Sequence, residues 1–317
     1  MTLMKQTVLL LLMLAFSAGV FAQDAGWRAP EGLRQIEIWP TAAPDMEGIT
    51  LPPERVETTK APDVVAGRPY TAVYNVATPT MTIFPPKGKN TGVSMVVFPG
   101  GGFQLLAMDL EGTEICDWMT SKGITCVLLK YRVPKSNDGY DPDCDCRVKP
   151  KVLRSLQDAQ RTIKLVRSRA KELKIDPNKV GVIGFSAGGF LVVQTSNIVT
   201  SEYKPVDDAD KLSSRPDFAI AIYPGHLCRD PDEATLNPDI HVTRETPPTF
   251  LLQAGDDPVD DRCNSTVYAR ALDDAGVPSE VHLFAKGKHG FGIRPTNKPI
   301  TKWPTLVETW LKEIGIM

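Results

Sequence analysis

Val180-Gly181-Val182-Ile183-Gly184-Phe185-Ser186-Ala187-Gly188-Gly189 is the stretch whose reading decides the fold. A short apolar run (180–183) breaks at a glycine, a serine sits between two glycine-flanked positions, and a helical pattern opens at Ala187. A strand feeding a sharp turn and then a helix is the context in which G-x-S-x-G forms a nucleophile elbow. A serine hydroxyl is a weak nucleophile at its own pKa, so it must be held exposed beside a general base. The glycines permit the tight turn, because a Cβ would crowd it. At the helix start, the Ala187 N–H is free to donate to a developing oxyanion. An ordinary glycine-rich turn is the competing reading, and the strand-turn-helix context weighs against it.

Outward from the elbow, apolar β-type runs alternate with helical segments. Upstream, Val93–Phe98 and Ile124–Leu129 read as buried strands, with a helix between them over Glu111–Lys122 that Gly123 caps. Val152–Leu173 is amphipathic, laced with Arg and Lys, and reads as one long helix. Downstream, Phe218–Tyr223, Thr249–Gln253 and Glu280–Phe284 are strands, and Asn264–Asp274 and Lys302–Ile314 are helices. Pro224–Pro248 is irregular. Apolar strands alternating with helices imply an α/β fold: a mostly parallel central sheet with helices on both faces. Residues 93–317 form this core. Residues 23–92 are a Pro-rich lead-in with early strands of the same domain, at Arg34–Trp39 and Thr80–Phe84.

Composition bounds the function without naming it. The chain has 317 residues, a formal net charge of −2 and 42% hydrophobic residues. A soluble globular protein is implied, and no Lys/Arg-rich run supports a nucleic-acid partner. Lys5 followed by an apolar run to Phe21, with Val20-Phe21-Ala22 before Gln23, has the form of a signal peptide over residues 1–22. The protein is then exported, periplasmic or secreted, with no stable membrane insertion after cleavage. An uncleaved anchor is the other reading of an apolar run of this length. Oligomeric state is not legible.

The remaining chemistry follows from what an activated serine needs. Pro99-Gly100-Gly101-Gly102-Phe103 follows a strand and can bring backbone N–H groups to the same oxyanion. A phosphate loop is the alternative, but no Gly-Lys-Ser/Thr follows and the G-x-G-x-x-G spacing is missing. Of four histidines, His289 lies in the glycine-rich loop 286–292 after the last strand, and is the candidate base. His226 and His241 fall in the irregular segment; His282 alternates within a strand, where a surface or packing role is the default. The loop Gly255–Asp261 after Thr249–Gln253 offers Asp256, Asp257, Asp260 and Asp261. Asp257 is chosen for its Asp-Pro-Val continuation, with Asp256 as the rival. The acid fixes the imidazole tautomer and stabilises the imidazolium. Chain order Ser, Asp, His is the one this elbow carries.

With these residues in place the chain resembles the α/β-hydrolases, and within them the bacterial exported acetyl-esterase-like group related to acetylxylan esterases. The likeness runs from about Val93 to the C-terminus. It rests on Pro99–Phe103, Asp109-Leu110-Glu111-Gly112, Lys130-Tyr131-Arg132-Val133-Pro134, Gly184–Gly189, Tyr223-Pro224-Gly225 and Lys288-His289-Gly290-Phe291-Gly292. It implies a serine esterase acting on short-chain acyl (acetyl) groups on carbohydrate, through an acyl-enzyme. Ser186, Asp257 and His289 would be its triad, with Gly101, Gly102 and Ala187 as oxyanion donors. Phe190 departs from the pattern, a histidine being expected there in many relatives, and makes the wall beside the nucleophile more apolar.

Phe103, Phe185, Phe190 and Phe291 surround these motifs and are candidates for the substrate pocket. The substrate is then a small-molecule or polysaccharide ester, and no cofactor or metal is implied; aspartates around Asp141–Asp145 read as a solvated loop. A general carboxylesterase or lipase-like enzyme, a prolyl-oligopeptidase-type serine peptidase and a catalytically silent binding module are the other readings. Peptidases of that type usually carry a propeller ahead of the hydrolase, where this chain has only the lead-in. Cys116 and Cys126 fall in a helix and a core strand, and are expected as free, buried hydrophobes. Cys144, Cys146, Cys228 and Cys263 lie in loops or at element starts, and one of the first two pairing with Cys228 or Cys263 is expected.

Overall fold

The computed structural model describes residues 26–133 and 152–317, together with the backbone of 140–141 and 146–147. Its centre is an eight-stranded sheet. In chain order the strands are β1 (Gln35–Glu37), β2 (Thr80–Phe84), β3 (Ser94–Phe98), β4 (Thr125–Lys130), β5 (Val180–Phe185), β6 (Ala219–Ile222), β7 (Thr249–Ala254) and β8 (Ser279–Phe284). In space the order is β1-β2-β4-β3-β5-β6-β7-β8. β2 runs antiparallel to both its neighbours, and every pair from β4 to β8 is parallel. Every residue of β3, β4, β5, β6 and β7 is buried, which is why these strands read as continuous apolar runs rather than alternating ones.

Among the described residues five helices of eight or more residues cover the sheet: α1 (Glu114–Ser121), α2 (Leu153–Ser168), α3 (Ala187–Asn197), α4 (Cys263–Asp274) and α5 (Trp303–Glu313). Neighbouring residues at the end of β5 identify the two faces. A Cβ on Gly184 would strike the Gly188 carbonyl of α3, whereas the Phe185 ring packs edge-on against Trp303 of α5 at 6.1 Å. Successive strand residues point to opposite faces, so α3 and α5 lie on opposite sides of the sheet. On the α5 side α1 joins through Trp118 and Trp303, whose rings are 5.2 Å apart.

Two helices differ from their expected extent. The segment expected to be helical from Glu111 opens as a π-helical turn, Asp109–Thr113, before α1. Its acidic side chains explain this: Asp109 Oδ1 accepts the Thr71 N–H at 2.7 Å, and Glu111 turns into the interior. The long helix from Val152 stops at Ser168, since Arg169 leaves the helical region (φ −96°, ψ 12°), and a short turn Ala170–Leu173 follows.

The lead-in belongs to the same fold. β1 and β2 extend the main sheet, and Arg55–Thr58, Thr71–Tyr74 and Leu105–Ala107 form a small antiparallel sheet. Trp39 Nε1–H donates to Asp158 Oδ1 at 2.8 Å, and the same buried carboxylate holds Arg132. Among the described residues no helix is long and apolar enough to cross a membrane.

The cysteine expectations are corrected. Cys116 and Cys126 are not free but form a disulfide, because α1 packs directly on β4 and sets their Cα atoms 5.3 Å apart. Cys228 pairs with Cys263 rather than with Cys144 or Cys146, joining the Pro224–Pro248 segment to the start of α4. Cys144, the Cys146 side chain and the Asp141–Asp145 loop's side chains lie outside the described residues, as do residues 1–22.

Candidate active site

Register brings the relevant loops to one edge. Phe98 pairs with Gly184, Phe185 with Ile222, Ile222 with Leu252, and Ala254 with Phe284. The loops after β3, β5, β6, β7 and β8 therefore leave from one level at the C-terminal ends of parallel strands, where α/β sheets build ligand sites. They carry Gly101 and Gly102, Ser186, Tyr223, Asp257 and His289 respectively.

The elbow is a strained turn. Ser186 has φ +52° and ψ −118°, a conformation L-residues seldom adopt, and its N–H is held by the Ile222 carbonyl at 3.0 Å. Such a turn requires α3 to run very close to β3: a Cβ on Gly188 would lie 2.0 Å from the Phe98 carbonyl oxygen.

Ser186 Oγ and His289 Nε2 are 2.9 Å apart, and His289 Nδ1 is 2.8 Å from Asp257 Oδ2. The Asp257 side chain is 0% exposed and that of His289 17%, so these contacts lie largely out of water. Asp257 Oδ1 also accepts the N–H groups of Val259 and Asp260, at 2.8 and 3.0 Å. Burial pushes the Asp257 carboxyl up, but the His289 hydrogen bond and those backbone donors outweigh it, leaving its pKa below the ordinary aspartate value. For His289 burial opposes the charged form, yet Asp257, Asp260 and Glu111 together lift the imidazole above its ordinary value.

The acid loop divides its labour. Asp256, the rival for the acid, does not meet His289; its Oδ1 accepts the Gly287 and Lys288 N–H groups at 2.7 and 2.9 Å and so anchors the histidine loop. Asp261 Oδ1 accepts the Cys263 N–H at the start of α4. Asp260 is a carboxyl whose place the sequence leaves open. Its Oδ2 lies 3.8 Å from His289 Nδ1, its carboxylate rests against Gly225, and burial lifts its pKa to about 6.

The glycine loop after β3 faces the serine. Gly101 has φ +134°, and a side chain there would strike the Leu105 carbonyl. Gln104 and Leu105 N–H groups close the turn on the Gly101 carbonyl, and the Gly100 N–H is occupied by Glu111. Among the described residues the N–H groups of Gly101 and Gly102 donate to no partner. Ala187 N–H opens α3, where helix-end donors point outward.

The aromatic candidates separate into two groups. Phe103 and Phe190 pack together at 6.4 Å, and His226 stands edge-on to Phe190 at 5.5 Å, forming an aromatic wall beside the elbow. Phe291 packs on Tyr223 at 4.6 Å. Strand alternation turns Phe185 away from α3, against Trp303 and Tyr223. His282 packs on Phe250 and bonds Glu280, while His241 is exposed. Among the described residues no cluster of His, Cys, Asp or Glu is arranged to hold a metal ion.

Glu111 and Tyr223 also belong to the site. Tyr223 O–H donates to Glu111 Oε1 at 2.7 Å, and its ring stands edge-on to His289 at 4.9 Å. The sequence offers both only within short stretches of likeness, and no spacing rule joins residues 112 positions apart.

The sequence profile of the prolyl oligopeptidase family matches residues 155–314, half of the chain, and one described as BD-FAE matches 81–222. The acetylxylan esterase of Xylanibacter ruminicola is 29% identical over 247 residues, covering 74% of this chain and 48% of that protein. Endo-1,4-beta-xylanase B of Butyrivibrio fibrisolvens is 28% identical over 220 residues, covering 63% of this chain and 32% of that protein. The chain thus spans half or less of the length of these curated relatives. Among solved structures, the acetyl ester-xyloside bifunctional hydrolase of Caldicellulosiruptor lactoaceticus has a TM-score of 0.67 at 28% identity, covering 90% of this chain and 97% of that one. The thermophilic esterase Est2 of Thermogutta terrifontis shares the fold, with a TM-score of 0.62 at 24% identity over 86% of this chain and 95% of that one. Strand order, elbow and profile converge: the chain belongs to the prolyl oligopeptidase family and carries the α/β-hydrolase fold.

Proposed function

We propose that this protein is an exported serine esterase that removes short acyl groups, acetyl above all, from carbohydrate. The observation that carries the reading is the unbroken relay from Ser186 through His289 to Asp257, at 2.9 and 2.8 Å. In the proposed reaction Ser186 Oγ bonds to the ester carbonyl carbon as its proton passes to His289 Nε2. Negative charge gathers on the carbonyl oxygen, facing the N–H groups of Gly101, Gly102 and Ala187. Collapse breaks the ester C–O bond, and the departing alcohol takes the proton back from Nε2. Water then attacks the acyl-serine by the same steps, releasing the acid and restoring Ser186. No step calls for a cofactor.

Three features support the finer parts of the reading. The acetylxylan esterase and the acetyl ester-xyloside hydrolase among its relatives favour an acetylated sugar as the alcohol. The buried Phe103–Phe190 wall beside the elbow favours a compact acyl group. Disulfides at Cys116–Cys126 and Cys228–Cys263 suit an oxidising compartment, in keeping with the signal-like residues 1–22.

A serine peptidase is the second reading, because the matching profile is that of the prolyl oligopeptidase family. A substrate panel decides: acetyl, butyryl and octanoyl nitrophenyl esters, acetylated xylan, a feruloyl ester and a prolyl amide. The proposal expects acetyl esters and acetylated xylan to turn over fastest. Preference for octanoyl esters would make it a lipase-like carboxylesterase, and preference for the amide a peptidase. Failure of a fluorophosphonate to label Ser186 would leave a silent binding module.

A further inference from the structure

We propose that Glu111 is a positioning residue of this site, holding the oxyanion loop and the histidine loop in one hydrogen-bonded frame; the proposal rests on the esterase reading above. Glu111 is 4% exposed, and both its oxygens are used. Oε2 accepts the Gly100 N–H at 2.7 Å, immediately before the candidate oxyanion donors, and Oε1 accepts the Tyr223 O–H at 2.7 Å. Tyr223 Oη in turn accepts the Gly292 N–H at 3.2 Å, three residues beyond His289, while its ring packs on the imidazole. One carboxylate therefore ties the loop after β3 to the loops after β6 and β8. A Cβ on Gly100 would lie 2.7 Å from Glu111 Oε2 and 3.0 Å from Ser186 Cβ, so the carboxylate and the serine crowd the same side of one glycine.

Such a group is costly to bury unless its bonds are used. Among the described residues no Lys or Arg forms an ion pair with it. The π-helical turn Asp109–Thr113 brings Glu111 inward, and insertions of that kind are frequent at functional sites. Burial lifts the Glu111 pKa, while the Tyr223 and Gly100 bonds and the facing His289 favour its charged form. The hydroxyls of Tyr70, Tyr131 and Tyr223 feel the same charge. His289 faces three carboxyls, Asp257, Asp260 and Glu111, each of which favours the imidazolium.

Two predictions separate positioning from mere support of the fold. Glu111→Gln should lower kcat by about 10- to 100-fold, the scale of a small misplacement of reacting groups, with KM nearly unchanged. It should also move the acid limb of kcat/KM to lower pH, because a charge favouring the imidazolium has gone. The experiment measures kcat, KM and the pH profile on 4-nitrophenyl acetate, with circular dichroism and melting temperature for each variant. A folded Glu111→Gln with wild-type kcat and an unmoved limb would overturn the proposal. So would a fall in activity that merely follows the loss of folded protein. Should Glu111→Gln fail to fold, Tyr223→Phe decides: the ring stays but the hydroxyl between Glu111 and Gly292 goes. Lower kcat in folded Tyr223→Phe supports the frame, and wild-type kcat refutes it. Wild type that neither hydrolyses the ester nor takes a fluorophosphonate would instead sink the esterase reading, and this proposal with it.

Discussion

Asp257→Asn tests how the imidazole is driven. With an effective dielectric constant near 20, a full charge 2.8 Å from the imidazolium is worth about 6 kcal/mol, roughly four powers of ten in rate. That matches the scale of about 10⁴ found when such an acid is made an amide in serine hydrolases. The geometry adds a second cause, because an asparagine amide donating to Nδ1 selects the tautomer whose Nε2 already carries a proton. His289 then cannot accept from Ser186. Asp260 softens the loss, since its carboxylate stands 3.8 Å from Nδ1 and is worth up to about 4 kcal/mol on the same footing. Asp257→Asn should therefore cost about 10³- to 10⁴-fold in kcat/KM at pH 8, with Asp257→Asn/Asp260→Asn falling roughly tenfold further. Asp256→Asn should stay within about tenfold of wild type, because the amide oxygen can still accept from Gly287 and Lys288. Initial rates on 4-nitrophenyl acetate for wild type and the three variants, checked for fold by circular dichroism, settle the matter. An Asp257→Asn enzyme within tenfold of wild type, or a larger loss in Asp256→Asn, would refute the assignment.

The lifted His289 pKa means that kcat/KM should rise with pH through an inflection above the ordinary imidazole value near 6.5, since only the neutral ring accepts the serine proton. Asp260→Asn should move that inflection down, and a wild-type inflection below 6.5 would contradict this electrostatic picture. Full reduction should lower the melting temperature: closing the 35-residue Cys228–Cys263 separation is worth about 4 kcal/mol on chain entropy, and the 10-residue Cys116–Cys126 separation about 3. An unchanged melt with all thiols titrated free would rule that out. Gly188→Ala sets a Cβ 2.0 Å from the Phe98 carbonyl, with backbone on both sides. A urea melt should show a loss of about 1–3 kcal/mol or more, accompanied by weaker hydrolysis; wild-type values for both would mean that α3 and β3 have room to part.

The sheet was readable because its central strands are buried on both faces and so leave uninterrupted apolar runs, from Val93–Phe98 to Thr249–Gln253. The elbow was readable because strained backbone demands small residues at fixed offsets, which Gly184, Ala187 and Gly188 supply. His289 followed from chain order and Asp257 from a local tripeptide. What stayed hidden depends on contacts between distant segments. Glu111 reads as an ordinary helical residue until Tyr223 and Gly100 come to meet it. The Cys116–Cys126 bridge was hidden for a related reason, since helix and strand both suggest burial and neither reports that α1 folds back on β4. Motif proximity likewise says nothing about the face to which a strand turns Phe185.

The esterase reading stands on Ser186 as the attacking group, and acetate release by Ser186→Ala puts it at risk. Initial rates on 4-nitrophenyl acetate, with wild type and variant matched for folded concentration, are the quantity to compare. Loss of a serine nucleophile typically removes about 10⁶-fold of kcat, so the variant should fall to near the uncatalysed background while keeping the wild-type circular dichroism and melting temperature. Hydrolysis by folded Ser186→Ala at the wild-type rate would show that the ester is cleaved elsewhere, and that the geometry around Ser186 serves another purpose.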